Sequence, residues 1–163
     1  MKTIPEEIVE KTWQEVAGLS PDKAKREMTK IGNIQPELLA FVMESSKEMG
    51  QEVRELAIYM FLVVYRIFQK AHGKIKKVSS EEIIKCYEHN ESLMERLEGA
   101  DEKFLDRIAS VQTSRQPHVV NYVADALMEE GEDAAALTEE QKGFLFLMLK
   151  TVIDVLDQKG VES

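Results

Sequence analysis

Cysteine is almost missing from this chain: Cys86 stands alone among 163 residues. One thiol forms no internal disulfide and no all-cysteine zinc site, so the expected compartment is a reducing one. Proline and glycine are scarce as well, at 4 and 8 residues. That excludes collagen-like and low-complexity classes and leaves few places where a helix must stop. No apolar run approaches the ~20 residues that cross a bilayer. The longest, residues 56–65, is broken by Arg66 before Ile67 and Phe68. Met1-Lys2-Thr3-Ile4-Pro5 runs straight into charged residues and does not read as a secretory signal. The expectation is a cytoplasmic protein without membrane contact.

Several chemical signatures are missing too. There is no Gly-x-Gly-x-x-Gly and no Gly-x-x-x-x-Gly-Lys-Ser/Thr, so the common phosphate cradles are absent and a nucleotide-dependent enzyme is not expected. Carboxylate-bridged di-iron bundles need Glu-x-x-His on two helices. Here Gln69, Cys86 and Arg115 stand three residues before His72, His89 and His118.

Positive charge is in deficit, with 21 Lys and Arg against 30 Asp and Glu and a net charge of -9. Residues 128–163 carry nine of the acids and three of the bases, and so most of the excess. Such a surface repels phosphate backbones, and nucleic acid is not the expected partner. Lys74, Lys76 and Lys77 form the one short basic group. Without interleaved aromatics it reads as a solvated loop after a helix end.

What the chain has is helical periodicity, within a hydrophobic content of 44%. A chain of this size buries roughly 70% of its unfolded surface and needs no staple. The pattern predicts one all-α domain over residues 1–163, with seven to eight helices and no strand. A first helix fits residues 5–18, with Ile8, Val9, Trp13 and Val16 as its stripe. Ser20-Pro21-Asp22 starts a second helix, and Gly32-Asn33 is its expected stop. Pro36 opens a third, to about residue 49, and Gly50 separates it from a longer helix over 51–72 that Gly73 closes. Ser79 with Glu82 and Thr138 with Gln141 are capping boxes for later helices. The first of these carries Ile83, Cys86, Tyr87, Asn90, Leu93 and Leu97 in a stripe and is expected to end at Gly99; the second carries Phe144, Leu145, Leu147, Met148, Val152, Val155 and Leu156 up to Gly160. Between them a short helix from Asp101 and another from Pro117 to before Gly131 complete the set.

Residues 35–52 can be laid over 116–133 without a gap, pairing Gln35-Pro36 with Gln116-Pro117, Val42 with Val123, Glu48 with Glu129 and Gly50 with Gly131. After an insertion around Ala134 to Thr138, Arg54 meets Lys142, Met60 meets Met148 and Val64 meets Val152. Two similar αα-hairpins, 35–73 and 116–160, follow, built so that each needs a neighbour to cover its apolar face. The side-chain amides of Gln35 and Gln116 are placed to tie a loop to a neighbouring helix. The stretch Pro36-Glu37-Leu38-Leu39-Ala40-Phe41-Val42, followed by Gln51-Glu52-Val53-Arg54-Glu55-Leu56-Ala57, resembles one HEAT-type helical repeat. The resemblance spans residues 36–73 and thins out in the second copy, where Gln141-Lys142-Gly143-Phe144 replaces the Val-Arg pair. It implies a scaffold for protein partners by analogy of architecture. The expected architecture is an irregular helical bundle or a short HEAT-like stack.

Candidate chemistry is sparse. Cys86 and His89 lie three apart on a helix and offer two metal ligands, which do not make a site. Arg66 interrupts the most apolar run and Asn90 sits on a core stripe, so each marks either an interior polar pocket or a rim position reaching water. No catalytic, cofactor or metal site is assigned. The leading expectation is a non-enzymatic interaction or scaffold module engaging a protein partner or a second copy in a homodimer. The alternatives are a small-molecule- or metal-dependent helical enzyme with a pocket near Cys86 and His89, and a nucleic-acid-binding regulator using Lys74 to Lys77.

Overall fold

The computed structural model describes residues 2–96, 115–128 and 137–159. Among them seven helices form: α1 (Glu6–Ala17), α2 (Pro21–Ile34), α3 (Pro36–Ser46), α4 (Gln51–His72), α5 (Ser80–Arg96), α6 (Pro117–Met128) and α7 (Glu139–Lys159). The helix expected from Asp101 and the stops at Gly99, Gly131 and Gly160 lie outside the described residues. No strand forms among the described residues, and no helix there is long and apolar enough to cross a membrane.

Local chemistry sets the boundaries. Ser20 Oγ accepts the Lys23 amide at 3.2 Å and caps α2. Both capping boxes close reciprocally. The Glu82 amide donates to Ser79 Oγ and the Ser79 amide to Glu82, each at 3.2 Å; Gln141 and Thr138 do the same at 3.1 and 3.0 Å. Gly73 ends α4 at φ 71, a conformation that L side chains rarely adopt.

Two boundaries depart from the pattern. The helix α2 runs through Gly32-Asn33 to Ile34. Gly32 serves close approach instead of termination, because a Cβ there would lie 2.8 Å from Leu39 Cδ2 on α3. The helix α3 ends at Ser46, short of residue 49; Ser46 is buried, and its hydroxyl bonds back to the Val42 carbonyl at 2.8 Å.

The architecture is a helical bundle centred on α4 and α7, which pack on each other. Helix α4 is surrounded by α1, α3, α6 and α7, and residues 60–65 are buried on every side. That is what its all-round apolar sequence predicts. Helix α7 packs on α3, α4, α5 and α6, and Met148, Leu149, Val152 and Leu156 are fully buried along it. Their burial joins one continuous core that reaches from Ile4 to Leu156.

Both glutamines do the work read from their sequence position. Gln35, fully buried before α3, accepts the Val78 amide at 2.8 Å and donates to the Lys76 carbonyl at 3.0 Å. Gln116, equally buried before α6, accepts the Ile4 amide at 2.8 Å and donates to the Lys2 carbonyl at 3.0 Å. Each thereby holds the extended segment that leads into a later or earlier helix, α5 in one case and α1 in the other.

Candidate functional site

Where α5 lies along α7, a cleft of about 730 Å³ opens, and its lining includes Glu82, Lys85, Cys86, His89, Arg115, Lys150, Asp154 and Asp157. The sequence places Lys150, Asp154 and Asp157 on the polar side of α7, and α5 covers that side. Lys150 is 7% exposed, yet its ammonium is fully engaged in charge: Nζ donates to Asp154 Oδ2 at 2.7 Å and to Asn90 Oδ1 at 3.3 Å. Asn90 Nδ2 donates back to Asp154 at 2.9 Å and approaches Thr151 Oγ1 at 3.4 Å. A buried ion pair needs this kind of added hydrogen bonding to offset its desolvation.

Of the four residues singled out from sequence, three therefore gather here. Asn90 belongs to the interior polar network and not to the rim. Cys86 and His89 face the same cleft, Cys86 buried and His89 at its exposed edge. Burial pushes the Cys86 thiol above its ordinary range and the Asp154 carboxylate adds to that, while a bond from Gln158 and the Lys150 charge oppose it. Cys86 is thus a protonated thiol at neutral pH and a poor nucleophile. Arg66 lies elsewhere, half-buried and 3.7 Å from Glu27 of α2, in a hollow of about 240 Å³ shared with Lys23, Arg26 and Lys30. Among the described residues no three His, Cys, Asp or Glu side chains gather as metal ligands. Lys74, Lys76 and Lys77 are exposed in the connection between α4 and α5.

A second concavity of about 550 Å³ runs between α1 and α6. Trp13 and Tyr122 give it aromatic surface, His118 and Asn121 lie along α6, and Glu6, Glu10 and Asp125 bring carboxylates. The sequence pattern places Trp13 in the core stripe of α1. It is instead 39% exposed, because Val9, Thr12 and Val16 occupy the buried arc and Trp13 falls beside it, toward α6. No cationic partner for Glu6, Glu10 or Asp125 exists among the described residues.

The chain matches no family model, no curated protein and no solved structure. The two concavities are its candidate sites. They differ in kind: the cleft mixes both signs of charge around buried polar groups, whereas the groove joins exposed aromatics to one sign of charge. Sequence reasoning missed the groove, since Trp13 and Tyr122 come together only through the packing of α1 on α6.

Proposed function

We propose that this chain is a non-enzymatic protein-interaction module, built on two similar helical hairpins, whose groove between α1 and α6 receives a basic segment of a protein partner. The observation that carries this reading is Trp13. It is the chain's single tryptophan, it stands 39% exposed, and it lines the groove with Tyr122 beside three carboxylates that have no cationic partner among the described residues. Tryptophan is the best face for a Lys or Arg cation and is enriched among residues that dominate binding energy. Carboxylates around it speed the approach of a cationic segment and select against acidic ones. The duplicated framework is supported by matched burial as well as by the glutamine ties: Val42 with Val123, Met60 with Met148 and Val64 with Val152 are all fully buried.

The test is anisotropy of a fluorescently labelled oligolysine peptide titrated with the intact protein and with the Glu6→Gln, Glu10→Gln, Asp125→Asn variant. All three positions are exposed, so the variant folds normally. The expected result is saturable binding that weakens at least about tenfold in the variant and with added salt. Equal binding by the variant overturns the assignment of the groove. A rise in mass with protein concentration, lost in the same variant, instead identifies the occupant as a second copy presenting Lys23, Arg26 and Lys30 of α2.

A further inference from the structure

The two ends of the molecule permit a comparison at matched depth. Gln116 holds Lys2 and Ile4 as Gln35 holds Lys76 and Val78. Aligning those segments places α5 on α1, with Asn90 on Val16 and Cys86 on Thr12. Aligning Met148 with Met60 places α7 on α4, with Lys150 on Leu62, Thr151 on Val63 and Asp154 on Arg66. Burial follows the correspondence: Val16 is 4% exposed and Asn90 2%, Leu62 1% and Lys150 7%, Val63 and Thr151 both 0%. At these matched buried positions α1 and α4 carry Val16 and Leu62 where α5 and α7 carry Asn90 and Lys150. Buried charge is costly and its apolar replacement is often neutral or stabilising. The polar network, closed on itself, forms the floor beside a cleft whose other charges are not closed in this way.

The charges define what fits. Glu82 is paired with Lys159 at 2.8 Å and Asp154 with Lys150 at 2.7 Å. Asp157, only 9% exposed, has a neutral partner alone among the described residues, the Gln116 amide at 2.8 Å. A buried carboxylate without a countercharge is an incomplete arrangement. At the rim, Lys85 and Arg115 are exposed cations with no acidic partner among the described residues. Leu93 adds apolar surface. From this disposition we infer that the cleft between α5 and α7 binds a small zwitterion, in its simplest form a free amino acid, with its ammonium at Asp157 and its carboxylate at Lys85 and Arg115. The volume, about 730 Å³, lies within the range of small-molecule sites.

Cys86, the only thiol in the chain, lines this cleft and reports on it. The experiment measures the melting temperature and the rate of Cys86 modification by methyl methanethiosulfonate, with each standard amino acid added singly at millimolar concentration. The expected result is that at least one amino acid raises the melting temperature and slows modification. The Lys85→Ala, Arg115→Ala variant, altered only at exposed positions, should lose both effects. Asp157→Asn should weaken binding about tenfold or more, the loss of one charged hydrogen bond. Silence from every amino acid overturns the inference. So does equal protection by the matching carboxylic acid without its amine, which makes the site one for anions only. The groove of α1 and α6 is read separately by the peptide titration, so failure at one site leaves the other standing.

Discussion

Truncating Gln116 is predicted to be among the most damaging single changes to a polar side chain in this protein. The Gln116→Ala variant removes at least three hydrogen bonds at once: from the Ile4 amide at 2.8 Å, to the Lys2 carbonyl at 3.0 Å and to Asp157 Oδ1 at 2.8 Å. Their fates differ. Lys2 is exposed and its carbonyl rehydrates, but Ile4 is 1% exposed and its amide is left without a partner. An orphaned buried donor costs about 1–3 kcal/mol, and a bond to a charged group about 1.5–3 kcal/mol. The sum is about 2.5–6 kcal/mol, or a fall in melting temperature on the order of 10 °C for a chain of this size. Gln35→Ala orphans the buried Val78 amide and removes the side-chain bond to the buried Tyr65 hydroxyl, while the Lys76 carbonyl meets water, and should cost about 2–4 kcal/mol. Urea unfolding followed by circular dichroism measures both. Gln116→Met separates the bonds from the volume, since it fills the space without making them. A loss below about 1 kcal/mol for Gln116→Ala, or no loss for Gln116→Met, would refute the reasoning.

Three further predictions are independent of it. The Lys159 ammonium and the Ser79 hydroxyl and amide hold the Glu82 carboxyl below the usual carboxylate range. A depressed folded pKa stabilises above the unfolded value of about 4.3 and ceases to do so as pH falls through the folded one. Glu82→Gln should therefore lower stability at neutral pH, by less than about 1 kcal/mol for a pair this accessible, with the difference from wild type fading in acid unfolding curves as pH falls from the unfolded value through the lower folded one. Gly50 has φ 86 and ψ 154, so Gly50→Ala should destabilise by about 1–3 kcal/mol in the same assay even though nothing obstructs the added methyl. Finally, iodoacetamide should modify Cys86 more slowly in the native protein than in urea at pH 8, because burial keeps the thiol protonated; equal rates would contradict that environment.

Much of the framework is legible in the sequence because it is local. Ser20, the two capping boxes, Gly50 and Gly73 punctuate helices through bonds or dihedrals within a few residues of themselves, and period-3.6 burial identifies α4 as a central helix. The paired glutamines are legible for the same reason, their place before a proline being repeated. Gly32 misleads because a glycine near a helix end reads as a stop, whereas its use here depends on Leu39 from the next helix. The candidate sites are less legible because they depend on a third helix. Lys150, Asp154 and Asp157 lie opposite the apolar stripe of α7 and read as solvent-facing until α5 covers them. Arg66 and Asn90 look equivalent as polar interruptions of apolar stripes. Only packing sends one to a half-buried pair with Glu27 and the other into an interior network. Trp13 reads as a core residue by its hydrophobicity, although the buried arc of a twelve-residue helix already holds Val9, Thr12 and Val16.

The most direct test of the interaction reading uses Trp13 as its own reporter. Emission from the intact protein should shift and saturate as an unlabelled lysine-rich peptide is added. An oligoglutamate peptide should produce no change, and raised salt should move the titration to higher peptide concentration. Emission that stays constant while the peptide binds elsewhere, or that does not respond to the peptide at all, would contradict the assignment of the groove between α1 and α6 as the docking surface.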